Sequence, residues 1–107
     1  MTDDIARRII DAAPADILKA IRRYSRRTCN VRHQSSGLIL ATHPFQLFWR
    51  FTWLLSRVRG KTEVTLMAST RWHPMPLLAP PSRDLGRALR YALATVAKES
   101  EAHQPSL

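Results

Sequence analysis

An alternation of apolar and polar residues in the middle of the chain most constrains its fold. All six odd positions from Phe45 to Leu55 are apolar. A second alternating run, Thr62 to Arg71, follows a turn at Gly60-Lys61. Period-2 alternation is typical of strands with one buried face. The pattern predicts one antiparallel sheet whose longest strands are Phe45–Arg59 and Lys61–Arg71.

A helix is the alternative for the first run, because Pro44 lies near its start and Gly60 beyond its end. Apolar residues would then cover nearly the whole circumference of that helix, which is unusual for a helix at a protein surface. The aromatic content of residues 45–58 also favours a strand.

The N-terminal part of the chain predicts a strand followed by a helix. Asp4–Ala13 is compatible with a strand or with a helix that ends before Pro14, and the alternation around Ile5 and Ile9 favours the strand. Pro14 suits the first position of a helix, where its missing N–H costs nothing. That helix is predicted over Pro14–Arg27, with an apolar stripe of Ile17, Leu18, Ile21 and Tyr24.

The remaining elements are a hairpin and a final helix. Thr28–Gln34 and Leu38–Thr42 flank a turn at Ser35-Ser36-Gly37, and His43-Pro44 is expected to break the second strand. Four prolines between residues 74 and 81 predict an extended crossover without regular structure. Ser82 is a good N-cap for a helix to about Ser100, and the tail from about residue 102 is expected to fray.

These elements predict a single α+β domain over residues 1–107. The order is β-α-β-β-β-β-α, with one antiparallel sheet of four to five strands and two amphipathic helices on one of its faces.

The order of elements, together with the stretch Ile9-Ile10-Asp11-Ala12-Ala13-Pro14-Ala15-Asp16-Ile17, resembles small helix-grip (START-like) and TATA-box-binding-protein-like domains. The resemblance implies a sheet covered by two helices. Helix-grip domains are usually longer and enclose a ligand cavity, whereas this chain lacks their extra strands. Proteins of these types bind lipids or nucleic acids, so the resemblance does not choose a function.

The residue types needed for catalysis or metal binding are scattered. The single cysteine, Cys29, excludes an internal disulfide, and the four histidines are far apart. Cys29 follows a run of arginines that would favour a thiolate, yet its expected place is the apolar side of a strand. The three glycines form no phosphate loop. We therefore expect no enzyme, no catalytic residue, no metal and no cofactor.

The charge points to a polyanionic partner. The chain carries 17 Lys and Arg against 8 Asp and Glu, a formal net charge of +9. Such an excess favours nucleic acid or an acidic protein surface as partner. The candidate residues form three clusters, on the first helix, around the hairpin turn and on the last helix: Arg22, Arg23, Arg26, Arg27; Arg57, Arg59, Lys61; Arg83, Arg87, Arg90.

The alternative function is binding of a small apolar ligand, or oligomeric assembly, through the aromatic strand Phe45–Leu55. Trp49, Phe51 and Trp53 share one face of that strand, where they form the core or line a pocket. Self-association is left open.

No segment of the sequence predicts export or membrane insertion. The N-terminus opens with acidic residues instead of a basic signal start. The most apolar window, Leu38–Leu55, is interrupted by His43, Pro44 and Arg50, so no membrane span is expected. The expected location is the cytoplasm.

Overall fold

The computed structural model of the protein describes residues 5–26, 28–46, 49–70 and 82–102, without the side chains of residues 46, 70, 82–84 and 102. Five strands form one antiparallel sheet in the order β1-β5-β4-β3-β2. The elements, in chain order, are β1 Ile5–Ile10, α1 Pro14–Tyr24, β2 Asn30–His33, β3 Ile39–Gln46, β4 Trp49–Val58, β5 Lys61–Thr70 and α2 Ser82–Ala102. The predicted α+β class and element order are confirmed.

Both helices begin where the sequence predicts. Pro14 is the first residue of α1, after the extended residue Ala13. The helix ends at Tyr24, earlier than the predicted Arg27, because Arg26 has a left-handed backbone (φ 58°) that no helix continues through. Residue 27, the four prolines of residues 74–81 and the tail from residue 103 lie outside the described residues.

The boundary between β3 and β4 differs from the prediction. His43-Pro44 does not end β3, which continues to Gln46 through a register shift between Pro44 and Gln46. Gln46 then pairs with Trp49, the first residue of β4. Phe45 therefore belongs to β3, and the predicted strand Phe45–Arg59 is wrong at its start. Residues 47 and 48, between the two strands, lie outside the described residues.

The alternation continues across this boundary because Phe45 and β4 bury the same face of the sheet. The ring of Phe45 stacks on that of Phe51 with centroids 4.2 Å apart. Apolar residues therefore alternate without interruption from the end of β3 into β4. For this reason the sequence pattern alone does not reveal the boundary between the two strands.

The core lies between one face of the sheet and the two helices. Trp49, Phe51, Trp53 and Leu55 from β4 are buried there, together with Val64, Leu66 and Ala68 from β5. The helices contribute residues that follow a helical period and that belong to the same cluster: Ile17, Leu18, Ala20, Ile21, Leu85, Leu89, Ala92, Leu93, Val96, Ala97. This face of the sheet is called the helix-covered face below.

Candidate functional site

The opposite side of the sheet is called the open face below. It carries the strand residues that alternate with those of the helix-covered face. Strand pairing places Asn30, Thr42, Thr52 and Met67 in one row across four strands. The next row holds Arg32, Leu40, Leu54, Thr65 and Arg7. These side chains are half-buried or exposed, in contrast to the buried residues between them along β3, β4 and β5.

A groove of about 260 Å³ crosses β2, β3 and β4 on the open face. It is concave but open to solvent. Two guanidinium groups, two hydroxyl groups, one carboxamide and one leucine line it, and none of them is acidic. The lining residues are Asn30, Arg32, Leu40, Thr42, Arg50 and Thr52.

The two groove arginines stand at opposite corners. Arg32 pairs with Leu40, which pairs with Leu54, whereas Arg50 lies four residues before Leu54 on β4. With strands about 4.8 Å apart and a rise of about 3.4 Å per residue, their Cα atoms are roughly 17 Å apart. The polar row of Asn30, Thr42 and Thr52 runs between them.

The side chains of the two groove arginines have no partner in the part of the chain that the structure describes. Within residues 5–26, 28–46, 49–70 and 82–102, the guanidinium groups of Arg32 and Arg50 form no hydrogen bond or ion pair. Other arginines do: the Arg23 guanidinium donates to Glu99 at 2.8 Å, and Arg7 Nε donates to Thr65 Oγ1 at 3.3 Å. The groove arginines thus differ from Arg7 and Arg23, whose guanidinium groups are held by described protein groups.

The predicted arginine cluster of α1 lies on the helix layer, on the other side of the sheet. Arg22, Arg23 and Arg26 are exposed. Arg23 forms an ion pair with Glu99 of α2, and this ion pair links the two helices at the surface. Arg27 lies outside the described residues.

The predicted hairpin cluster divides between the two faces. Arg59 occupies the β4–β5 turn with φ 52°. Arg57 pairs with the buried Thr62 and so lies at the rim of the helix-covered face. Lys61 has the opposite parity and extends the open face.

The predicted α2 cluster faces solvent away from the sheet. Arg87 and Arg90 are exposed on the side of α2 opposite Leu85 and Leu89. The side chain of Arg83 is outside the description. The structure therefore does not bring the three predicted clusters together on one face.

The predicted pocket aromatics are core residues. Phe51 and Trp53 are fully buried, and Trp49 is 7% exposed. Trp53 Nε1 donates a hydrogen bond of 2.9 Å to Nε2 of the buried His43. The indole N–H of Trp49 is buried without a hydrogen-bond partner among the described residues.

The half-buried Cys29 and the buried His43 are poorly suited to nucleophilic or acid–base chemistry. Burial raises the pKa of the Cys29 thiol, against the opposing effect of Arg22, so the reactive thiolate is disfavoured. Burial lowers the pKa of His43, whose two ring nitrogens are both occupied by hydrogen bonds within the protein. In the described part of the chain, no three His, Cys, Asp or Glu side chains group together as metal ligands would.

No family model matches the chain. No curated protein matches it either. The resemblance to helix-grip and TATA-box-binding-protein-like domains thus remains a prediction from the order of elements. None of the described helices has the length and apolar character needed to cross a membrane.

The groove contains two residues, Arg32 and Arg50, that the sequence did not single out as a site. Each occupies a polar position of a strand with alternating apolar and polar residues, so the sequence alone predicts that each lies on the polar face of its strand. Their common groove depends on the register of β2, β3 and β4, which the alternation does not reveal.

Proposed function

We propose that the protein is a non-enzymatic module that binds nucleic acid through the open face of its sheet. The observation that carries the proposal is the pair of arginines, Arg32 and Arg50, that no described residue engages and that stand at the corners of a groove without acidic lining. Guanidinium groups bind phosphate through paired hydrogen bonds as well as charge.

The composition of the open face supports this partner. Its strand positions hold the cations Arg7, Arg32, Arg50 and Lys61 against the single carboxylate of Glu63. The threonines between them offer hydroxyls of the kind that contact phosphate and sugar in protein–nucleic acid interfaces. With a net charge of +9, the whole molecule also attracts a polyanion at long range.

The test compares two double variants that lose the same charge from opposite sides of the molecule. R32A/R50A alters the groove, and R87A/R90A alters the solvent side of α2. We expect the wild type to bind a fluorescent 20-nucleotide strand, and to be retained on heparin, with steep salt dependence. At 150 mM salt R32A/R50A should lose most of this binding and R87A/R90A little of it.

Circular dichroism and thermal melting would show that both variants remain folded. No binding of the wild type near 50 mM salt would contradict the proposal, as would equal losses in the two variants. Binding of poly-glutamate in preference to nucleic acid would identify an acidic protein surface as the partner instead.

Assembly is the second candidate, and one observation favours it. Ile5 and Ile9 of the edge strand β1 are 60% and 53% exposed on the open face. Two such faces could pack together through these isoleucines and the neighbouring Met67. Gel filtration with light scattering tests this, because a monomer at high protein concentration would exclude assembly.

For the nucleic-acid module we propose the cytoplasm as the location.

A further inference from the structure

We infer that the groove takes a single strand of nucleic acid, whose backbone crosses β2, β3 and β4 diagonally between Arg50 and Arg32. This inference rests on the proposed function and names its substrate class. It follows from three features of the groove: the spacing of its arginines, the row of short polar side chains on its floor, and a lining without aromatic rings.

The spacing of the arginines suits a ligand with more than one phosphate. The Cα atoms of Arg32 and Arg50 are separated by roughly 17 Å, as estimated from strand spacing and rise. The two side chains therefore start from opposite ends of the groove. An extended chain of several nucleotides can place one phosphate beside each arginine, whereas an isolated phosphate can pair with both only if the two side chains reach inward over the groove.

The floor of the groove favours a single strand over a duplex. Asn30, Thr42 and Thr52 are direct neighbours across three strands, with Cβ atoms about 5 Å apart from one strand to the next. Their short polar side chains lie between the long arginines. A single strand can enter the groove and bring sugars and phosphates to them. A duplex is a convex cylinder that meets the arginines at the rim and leaves the threonine hydroxyls without contact.

The groove lining also predicts which contacts the bases of a bound strand make. None of the six lining residues is aromatic, so stacking on aromatic rings does not contribute within the groove. Guanidinium planes can stack on unpaired bases, and Leu40 offers an apolar contact to a sugar or base. Both contacts accept any base, so binding should depend weakly on sequence.

The experiment separates the polar row from general electrostatics. T42V/T52V removes both hydroxyls while keeping charge, shape and strand propensity. T65V is the control, because Thr65 lies on the open face outside the groove and its described partner is Arg7. Fluorescence anisotropy would measure binding of a 12-nucleotide single strand and of a hairpin duplex with the same number of phosphates.

We expect the wild type to prefer the single strand. Loss of two hydrogen bonds in T42V/T52V should weaken single-strand binding by about tenfold, with an unchanged salt slope. Duplex binding and heparin retention should stay the same. In R32A/R50A the slope of log K against log salt should become shallower by about 1.4, because two phosphate contacts on a single strand are lost.

Two outcomes would overturn the inference while the proposed function stands. One is single-strand binding by T42V/T52V that equals that of T65V. The other is a duplex that binds as tightly as the single strand and depends equally on the two threonines. If the wild type binds neither nucleic acid, the proposed function itself fails.

Discussion

His43 is a buried imidazole held in one neutral form by its neighbours. Its Nε2 accepts the hydrogen bond of the Trp53 indole, so the proton resides on Nδ1, which donates to the carbonyl of Pro44 at 3.0 Å. The rings of Tyr24, Phe51 and Trp53 surround it. A second proton on this ring would remove the acceptor of Trp53 and place a charge in the core. Burial accordingly lowers the pKa of His43 from its ordinary value of 6.5.

This geometry predicts acid destabilisation that originates at one residue. Above pH 6.5 His43 is neutral in both the folded and the unfolded chain. Below pH 6.5 the imidazole of the unfolded chain binds a proton, whereas the buried imidazole of the folded chain stays neutral. The free energy of unfolding therefore falls as the pH drops towards the lowered pKa of His43. The loss should reach at most about 1.4 kcal/mol per pH unit.

Urea unfolding of the wild type and of His43→Gln between pH 8 and pH 5 measures this contribution. The glutamine is non-titrating and can still accept from Trp53, and all other titrating groups are common to the two proteins. We expect the wild type to lose stability relative to the variant as the pH falls. Parallel pH profiles would show that folding does not lower the pKa of His43.

Among the elements, the β4–β5 hairpin carries a strained residue at its turn. Val58 pairs with Lys61, so Arg59 and Gly60 form a two-residue loop, with φ values of 52° and 83°. Positive φ at both positions is the requirement of a type I′ turn, in which Asn-Gly is preferred. Arginine has no such preference, because it carries a Cβ but lacks the short polar side chain with which asparagine bonds to the local backbone in the left-handed region.

Arg59→Asn should therefore stabilise the protein by about 0.5–1 kcal/mol. Thermal and urea unfolding would measure the gain. Arg59→Gln removes the same charge from the same position without favouring positive φ, and it should bring no comparable gain. If both variants were stabilised equally, relief of charge repulsion near Arg57 and Lys61 would be the cause instead.

The elements also show which structural features the sequence could predict. The period of apolar residues identified each described strand and helix, because burial of one face leaves a regular pattern. The boundary between β3 and β4 was missed because Phe45 and Phe51 pack on the same face from two strands. The groove was missed for a related reason: Arg32 and Arg50 are 18 positions apart, and only the strand register brings them to one surface.

At the scale of the whole molecule, the arginines are divided between two layers. Arg87 and Arg90 are exposed on the helix layer, and Arg32 and Arg50 lie on the open face of the sheet. A helix layer packs about 10 Å from a sheet, and the solvent side of the helices is farther still. The Debye length is about 8 Å at 0.15 M salt but about 30 Å at 0.01 M. The helix-layer charges therefore act on a ligand in the groove only at low salt.

This difference predicts how the charge variants respond to salt. At about 10 mM salt R87A/R90A should bind a single strand more weakly than the wild type, because the long-range attraction of the +9 molecule is reduced. Near 150 mM that deficit should disappear, whereas the deficit of R32A/R50A should persist, since direct phosphate contacts are lost. Stopped-flow measurements of association and dissociation rates across the salt series would measure both deficits. R87A/R90A should change mainly the association rate. A deficit of R87A/R90A that remains at 150 mM would place phosphate contacts on α2 and transfer the binding surface from the sheet to the helices.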